Sequence, residues 1–191
     1  VHYQVTDGNP DSGISDVQSF DITVLGTNDG PVADYSLTTD STIDSTRIDA
    51  SGYLTVSENE FGLDASGNPI TITGKLSSSD VDNNATASYS LIGADIPGLT
   101  INSDGSWSFD PSPPAYNNLG SGDTKLINVT YSVTDDQNAV DTGSFNINLS
   151  GTNDKPTATY TTDLSVLEGA TDASGNTLNL TGQLTASDID S

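Results

Sequence analysis

The chain has no cysteine, and only four of its 191 residues are lysine or arginine. Without cysteine, no disulfide bridge can brace the fold, so it needs another kind of brace. Against the few positive charges stand 27 acidic residues, which give a net charge of −23. Because this charge repels the phosphates of nucleic acid and of anionic lipid, we expect neither as a partner and no direct membrane contact. No apolar stretch approaches the roughly 20 residues of a membrane-spanning helix, and no signal-peptide pattern is present.

The residues on which most enzymes depend are scarce as well. His2 is the only histidine, and the chain contains no G-x-S-x-G, H-E-x-x-H or phosphate-loop pattern. Two carboxylates can hydrolyse a glycosidic bond, but that reaction needs a cleft around the sugar. A small domain with short loops offers little wall for such a cleft. We therefore expect the chain not to be an enzyme.

The tetrapeptide Gly-Thr-Asn-Asp occurs twice, at 26–29 and at 151–154. In both places it follows an alternating apolar run and precedes an X-Pro step. The residues that lead up to it, 1–29 and 129–154, align with one gap of three residues. The distance between the two copies of the tetrapeptide is the length of one small domain, so the chain is an array of repeats.

A second alignment fixes the boundaries of these repeats. Residues 64–82 recur without a gap at 172–190. The chain therefore divides into the last strands of a preceding repeat at 1–29, one complete repeat at 30–154 and the first part of a following repeat at 155–191. Neither flank has a counterpart of the middle of the complete repeat, so we expect that the flanks cannot make a full core alone and have frayed ends or exposed strand edges that pair with another chain.

Short alternating runs rich in Thr, Ser, Val, Ile and Tyr predict about seven β-strands. They lie at 53–58, 70–76, 86–92, 127–133 and 144–150, with two more within 99–109. Polar turns separate the runs, and Asp104-Gly105 is a strong hairpin signal, whereas only 114–120 has the composition of a single helical turn. The pattern predicts an all-β fold of tandem antiparallel β-sandwiches, of the immunoglobulin or cadherin type. Its core would hold Leu54, Val56, Ile72, Leu76, Tyr89, Leu91, Ile101, Trp107, Phe109, Val129, Tyr131, Val133, Phe145, Ile147 and Leu149.

The large negative charge has two explanations, surface hydration and cation binding. Recurrence of the acids at equivalent positions of the repeats favours the second. Asp80 and Asp82 form a D-x-D pair whose side chains lie on one side of an extended segment. The recurring sets are Asp80 and Asp82 with Asp188 and Asp190, Asn28 and Asp29 with Asn153 and Asp154, Asp7 with Asp135, and Glu58 with Glu168. Calcium takes about six to eight oxygen ligands from carboxylates, amides and carbonyls, so these positions predict calcium sites.

Several motifs follow one another in a specific order. They are the D-x-D pair, the Asp-Gly hairpin with Trp107, an L-x-x-G-D turn at 119–123, V-T-D at 133–135 and G-T-N-D-x-P at 151–156. In this order they resemble the cadherin-like VCBS repeats of giant bacterial surface adhesins, including those that end in an RTX secretion region. The resemblance covers the central repeat and both flanks. It implies a calcium-dependent extracellular stalk or adhesin on the bacterial surface or secreted, exported by a type I system.

Similarity to cadherins also implies how the ligands divide between two junctions. The first junction would use Asn28, Asp29, Asp80, Asp82 and Asp135, and the second would use Glu58, Asn153, Asp154, Asp188 and Asp190. The cadherin linker begins with Asp and ends with Asn, but this chain has Gly26 and Gly151 at the first position and Gly30 and Lys155 at the last. The departure implies one or two ions at each junction rather than three.

Simpler interpretations exist for each position. An Asn-Asp pair before X-Pro is a common turn, and a strand-end Asp can accept hydrogen bonds from its own loop. Residues 7–13 weakly resemble an EF-hand loop, and Trp107 could stack on a sugar, although alternation with Phe109 favours the core. We expect extender repeats that contact neighbouring repeats of the same chain and act in adhesion or biofilm formation. The alternatives are a polysaccharide-binding β-sandwich module and homotypic assembly into fibres.

Overall fold

In the computed structural model the described residues are 1–6, 8–9, 16–58, 65–67, 70–112, 114–160, 167–178 and 184–190. Within these ranges the only helical element is a 3₁₀ turn at Ser45–Arg47, so the predicted all-β fold is confirmed. Nor does this part of the chain include a helix that is long and apolar enough to cross a membrane. The strands are β1 His2–Tyr3, β2 Gln18–Ser19, β3 Val32–Ala33, β4 Leu54–Ser57, β5 Ile72–Lys75, β6 Ser78–Ser79, β7 Ala87–Leu91, β8 Leu99–Ile101, β9 Ser106–Phe109, β10 Thr124–Asp135, β11 Val140–Ser150, β12 Thr157–Tyr160 and β13 Leu184–Ser187.

The larger sheet of the central repeat has the order β4-β11-β10-β7. β10 pairs antiparallel with β11 and β7, whereas β4 runs parallel to β11. Alternation in the second half of β10 buries every other residue, including Val129, Tyr131 and Val133. This burial explains why apolar and polar residues alternate in the sequence, because alternate side chains of a strand point to opposite faces.

A three-stranded antiparallel sheet of order β5-β9-β8 forms the opposite layer. The predicted Asp104-Gly105 turn joins β8 to β9, with Gly105 at φ +85°. The Asp104 carboxylate accepts hydrogen bonds from the backbone and the hydroxyl of Ser106. The Trp107 ring lies 4.9 Å from the ring of Phe145 on the larger sheet. The two layers therefore share one core, as in a β-sandwich compatible with the immunoglobulin class.

Most of the predicted core is buried. The exceptions are Leu91 and Ile101, which are only partly buried because β7 and β8 are the edge strands of their sheets. Alternation also missed Leu37, Ile43 and Tyr116, which lie in segments without strand periodicity. The buried apolar residues are Leu37, Ile43, Leu54, Val56, Ile72, Leu76, Tyr89, Trp107, Phe109, Tyr116, Ile127, Val129, Tyr131, Val133, Phe145, Ile147 and Leu149.

Residues 114–118 form turns rather than the helical turn that their composition predicted. Tyr116 anchors this segment, since its hydroxyl donates a hydrogen bond to the carbonyl of Pro97 at 2.8 Å. Its ring lies 6.1 Å from that of Phe109. The buried tyrosine thus holds the turn over one end of the core, where the next residue, Asn117, faces the following linker.

Two very short strand pairs position the linkers. β3 pairs with β6 in the register Val32↔Ser79, and β12 pairs with β13 in the register Thr157↔Ser187. These are the same pairings in repeat terms, because each joins the second residue after Gly30 or Lys155 to the residue before a D-x-D pair. The recurring sequence therefore makes a recurring local structure, which sets the linker beside the D-x-D pair.

The flanking segments expose apolar side chains. In the first flank β1 pairs with β2, and Val5 and Val24 are 60 % and 85 % exposed. Their equivalents in the complete repeat, Val133 and Leu149, are 0 % exposed. Val133 and Leu149 belong to the buried apolar cluster of the complete repeat.

Candidate metal centre

The first linker lies against the D-x-D pair and the end of β10. The backbone N–H of Asp29 donates to Oδ2 of Asp82 at 2.8 Å. The side-chain amide of Asn28 donates to Oδ2 of Asp135, also at 2.8 Å. Since β3 follows the linker and pairs with β6 just before Asp80, the fold brings all five residues of the first predicted set to one end of the central sandwich.

Asp80 supplies a buried carboxylate oxygen at this end. Its Oδ1 accepts a hydrogen bond from the backbone N–H of Asp82 at 2.8 Å. Its Oδ2 is buried and has no hydrogen-bond donor among the described residues. A cavity of about 190 Å³ opens beside it, lined in part by Pro31, Asp82 and Asn84. A buried carboxylate oxygen without a donor costs free energy, and a bound cation would remove this cost.

Asp135 has a structural role that the sequence analysis weighed as an alternative. Its Oδ1 accepts hydrogen bonds from the backbone N–H groups of Gln137 and Ala139, which closes the turn between β10 and β11. The hydrogen bond from Asn28 is the main cause that lowers the pKa of Asp135, and the backbone donors add to it. Asp135 therefore caps its own turn and orients Asn28, and its place in a metal site stays a prediction.

The second linker repeats the first arrangement. The backbone N–H of Asp154 donates to Oδ2 of Asp190 at 2.7 Å, and that of Asp190 donates to Oδ1 of Asp188 at 3.1 Å. Oδ2 of Asp154 and Oδ1 of Asp190 are buried without a hydrogen-bond donor in the described part of the chain. Asn153 differs from Asn28 in its partner, because its side-chain amide donates to the carbonyl of Asp154 at 2.7 Å and not to a carboxylate at the end of a strand.

Glu58 joins this second cluster from the central repeat. It directly follows β4 and is 0 % exposed. Burial raises the pKa of its carboxyl, and the negative charges of Asp154 and Asp190 raise it further. A hydrogen bond from the backbone of Thr152 lowers this pKa but does not outweigh the other causes. Glu168, the equivalent residue in the following repeat, is exposed. The fold therefore places Glu58 among two of its predicted partners.

Asn117 is a candidate that sequence reasoning missed. Its Oδ1 is buried and has no donor among the described residues. It lines a cavity of about 480 Å³ together with Asp154, Lys155 and Asp188. The L-x-x-G-D turn next to it was noted only as a family motif. Because that turn occurs once in this sequence, recurrence could not mark Asn117 as it marked the aspartates.

The donor set fits calcium in kind, since it consists of carboxylate and amide oxygens. No group of three or more Asp, Glu, His or Cys side chains that could hold a metal ion is present among the described residues. Like charges oppose such a group, at about 1 to 4 kcal/mol for a pair 4 Å apart near a surface. Several of the carboxylates instead accept hydrogen bonds from linker amides, as described above. The buried oxygens of Asp80, Asp154, Asp190 and Asn117 nevertheless lack donors within this part, so the residues present fit a cation.

Two further predictions, Asp7 and the EF-hand-like segment, cannot be compared with the structure. Asp7, the partner of Asp135 in the first flank, lies outside the described residues, as does most of the EF-hand-like segment. The predicted place of Trp107 in the core is confirmed, since it is 1 % exposed and donates through its indole N–H to the hydroxyl of Tyr35 at 3.1 Å. It therefore offers no stacking platform.

Acidification is expected to stabilise the calcium-free second junction. The native state holds the Glu58 proton more tightly than the unfolded chain does, since the folded pKa is raised above the ordinary value of 4.5. This contribution is present at low pH and is lost as pH rises through the folded pKa. In chelator, the free energy of unfolding should therefore increase as pH falls from 7 toward about 4.5. Calcium should reverse the slope, because protons then compete with the ion.

Denaturant titrations at a series of pH values would measure this slope, with Glu58→Gln as the control that removes the titrating group. Asp135, whose pKa is lowered, changes the free energy of unfolding only below its ordinary pKa of 3.8, which is outside the pH range of this measurement. Equal slopes for the wild-type chain and Glu58→Gln in chelator would contradict the assignment.

Comparison with known proteins gives no family for this chain. Neither a scan against protein-family models nor a search of the curated proteins found a match.

Proposed function

We propose that this chain consists of extender repeats of a bacterial surface adhesin or extracellular fibre, stiffened by calcium at each junction. The observation that carries the proposal is the pair of equivalent junctions at which buried oxygens of Asp80, Asp154 and Asp190 have no donor among the described residues. The resemblance to cadherin-like VCBS repeats supports the same function. The absence of cysteine leaves a metal ion as the available cross-link between domains.

At the first junction, the buried oxygen of Asp80 is the strongest candidate ligand. The oxygens of Asn28, Asp29, Asp82 and Asp135 complete the proposed set. At the second junction, the proposed ligands are Glu58, Asn117, Asn153, Asp154, Asp188 and Asp190. When bound, calcium supplies positive charge that neutralises the clustered carboxylates and lets residues of two repeats share one centre.

Stiffening follows from where these residues lie along the chain. Glu58 and Asn117 belong to the central repeat, Asp154 to the linker, and Asp188 and Asp190 to the following repeat. Without a cation the mutual repulsion of these acids favours separation of the neighbouring repeats. A shared ion replaces this repulsion with coordination, so the repeats would form a rod that holds an adhesive tip away from the cell.

Calcium concentration would then control the rod. Extracellular modules bind calcium with dissociation constants of about 10⁻⁴ to 10⁻³ M. A protein with such sites is loose in the cytosol before export and firm outside the cell. The alternative of a polysaccharide-binding module gains no support from Trp107, because this side chain is buried.

Asn117 and its neighbour Asn118 provide a matched test of the proposed ligand set. Asn117→Ala is expected to weaken calcium binding at the second junction about tenfold, or about 1.4 kcal/mol, because it removes a buried amide oxygen. Asn118 is exposed, so Asn118→Ala should leave binding unchanged. Isothermal titration of the 191-residue chain with calcium would measure both.

The two possible failures have different meanings. If the wild-type chain binds no calcium at millimolar concentration, the proposed function is wrong. If the chain binds calcium and both variants behave alike, the junction binds the ion without Asn117, and only this ligand must be withdrawn.

A further inference from the structure

We infer that the second aspartate of each D-x-D pair, Asp82 and Asp190, fixes the linker backbone through a hydrogen bond that needs no metal ion. We call these two residues the linker-capping aspartates. The inference goes beyond the proposed function, because the hydrogen bond joins two groups of the chain itself and is tested in chelator.

Each linker-capping aspartate accepts a hydrogen bond from the backbone of the linker. Oδ2 of Asp82 accepts from the backbone N–H of Asp29 at 2.8 Å, across 53 residues of sequence. Oδ2 of Asp190 accepts from the backbone N–H of Asp154 at 2.7 Å, across 36 residues. Asp29 and Asp154 are the same position of the Gly-Thr-Asn-Asp motif. The same atom thus accepts from the same linker amide at two separate junctions.

The first aspartate of each pair behaves differently. Asp80 and Asp188 accept through Oδ1 from the backbone N–H two residues later, at 2.8 and 3.1 Å. This local contact is the ordinary turn-forming bond of an aspartate, and it links nothing distant. The two aspartates of a pair therefore divide two tasks: one shapes the D-x-D turn and the other holds the linker.

The division leaves oxygens for a cation. Oδ2 of Asp80 and Oδ1 of Asp190 are buried without donors among the described residues. At the second junction, one oxygen of the Asp190 carboxylate therefore accepts a hydrogen bond from the linker backbone, and its other oxygen is available to an ion. A charged acceptor strengthens a hydrogen bond to an amide, so this bond holds the backbone of Asp154 beside the oxygens that would take the ion. The linker-capping aspartates are positioning residues as well as candidate ligands.

Amide hydrogen exchange measured by NMR on the 191-residue chain in chelator tests this inference. In Asp190→Ala the amide of Asp154 should exchange about tenfold faster than in the wild-type chain, since it loses its acceptor. Asp190→Asn keeps a side-chain oxygen at the same place and should restore most of the protection. Asn118→Ala is the control for a substitution elsewhere at the second junction, because Asn118 is exposed.

Exchange at Val133, in the middle of the central sheet, reports whether each variant remains folded. If Asp190→Ala unfolds the chain, Asp82→Ala with exchange measured at Asp29 provides the same comparison at the first junction. Equal exchange at Asp154 in the wild-type chain and in folded Asp190→Ala would overturn the inference. Protection that arises in the wild-type chain only after calcium is added would also overturn it. A failed calcium titration would refute the proposed function but leave this result unchanged.

Discussion

Calcium at about 100 times its dissociation constant is expected to raise the free energy of unfolding by about 2.7 kcal/mol for each occupied site. The reason is linkage, since a site built from the linker and two repeats exists only when they are docked. The effect should be large in this chain, because the ion also removes repulsion among the carboxylates of one junction, such as Asp154 and Asp190, each of which has a buried oxygen without a donor among the described residues. Two sites would therefore add about 5 kcal/mol.

Urea denaturation with calcium and with chelator measures this difference. Magnesium at equal ionic strength is the control, because it prefers octahedral geometry and retains its water, so it should act mainly by screening. Asp80→Asn should remove the gain at the first junction and Asp154→Asn the gain at the second, without harm to the core. An equal gain with magnesium would point to screening and would contradict specific sites.

Scattering from a polypeptide with two complete adjoining repeats tests the mechanical part of the same prediction. Its maximum dimension should be longer and better defined with calcium than with chelator. Equal dimensions in both conditions would remove calcium as the source of stiffness, even if calcium were found to bind.

Gly151→Ala is expected to disrupt the second linker, at a cost of about 1 to 3 kcal/mol or more. The backbone N–H of Gly151 donates to the carbonyl of Asp123 at 2.9 Å. A Cβ at this position would overlap the carbonyl oxygens of Leu119 and Gly120. These are backbone atoms, so a rotamer change cannot relieve the overlap, and the linker would have to move away from the turn.

Gly26→Ala is the matched control. Gly26 occupies the same position of the Gly-Thr-Asn-Asp motif, but a Cβ there meets no atom within 4 Å in the described structure. Thermal unfolding and calcium affinity should therefore change for Gly151→Ala and stay constant for Gly26→Ala. If the two variants behave alike, the close approach at Gly151 does not constrain the junction.

The close approach also explains a departure from the cadherin linker that the sequence alone could only record. Glycine stands where that linker has aspartate, and the sequence interpretation was simply the loss of one ligand. At Gly151 the structure gives a physical reason, because the second linker passes directly against the turn at 119–123 and leaves no room for a side chain. Removal of the side chain thus permits the turn that carries Asn117 to approach the junction.

The sequence was sufficient for the fold class, for the long strands and for most of the core. Alternation determines which face of a strand is buried, so Val129, Val133 and Ile147 could be assigned without coordinates. The Asp104-Gly105 hairpin followed from local turn chemistry. Recurrence of D-x-D and Gly-Thr-Asn-Asp identified the residues that the fold later brings together at the linkers.

Other features depended on contacts between distant parts of the chain. Two-residue strands such as β3 and β6 have no periodicity to detect, yet their pairing sets Asp29 beside Asp82. Tyr116 lies in an irregular turn and becomes buried only because the sandwich closes over it. The role of Asp135 as a cap was decided by the loop amides that surround its carboxylate.

The sequence by itself determined an acidic, disulfide-free, all-β chain in which recurring motifs place Asp and Asn residues at the linkers, because period, composition and recurrence are local properties of the chain. Only the tertiary structure decided which of these oxygens are buried without a donor, which already accept a linker amide, and that Asn117 joins them. The physical reason is that burial and hydrogen bonding depend on the groups that surround an atom. At these junctions those groups come from residues tens of positions away.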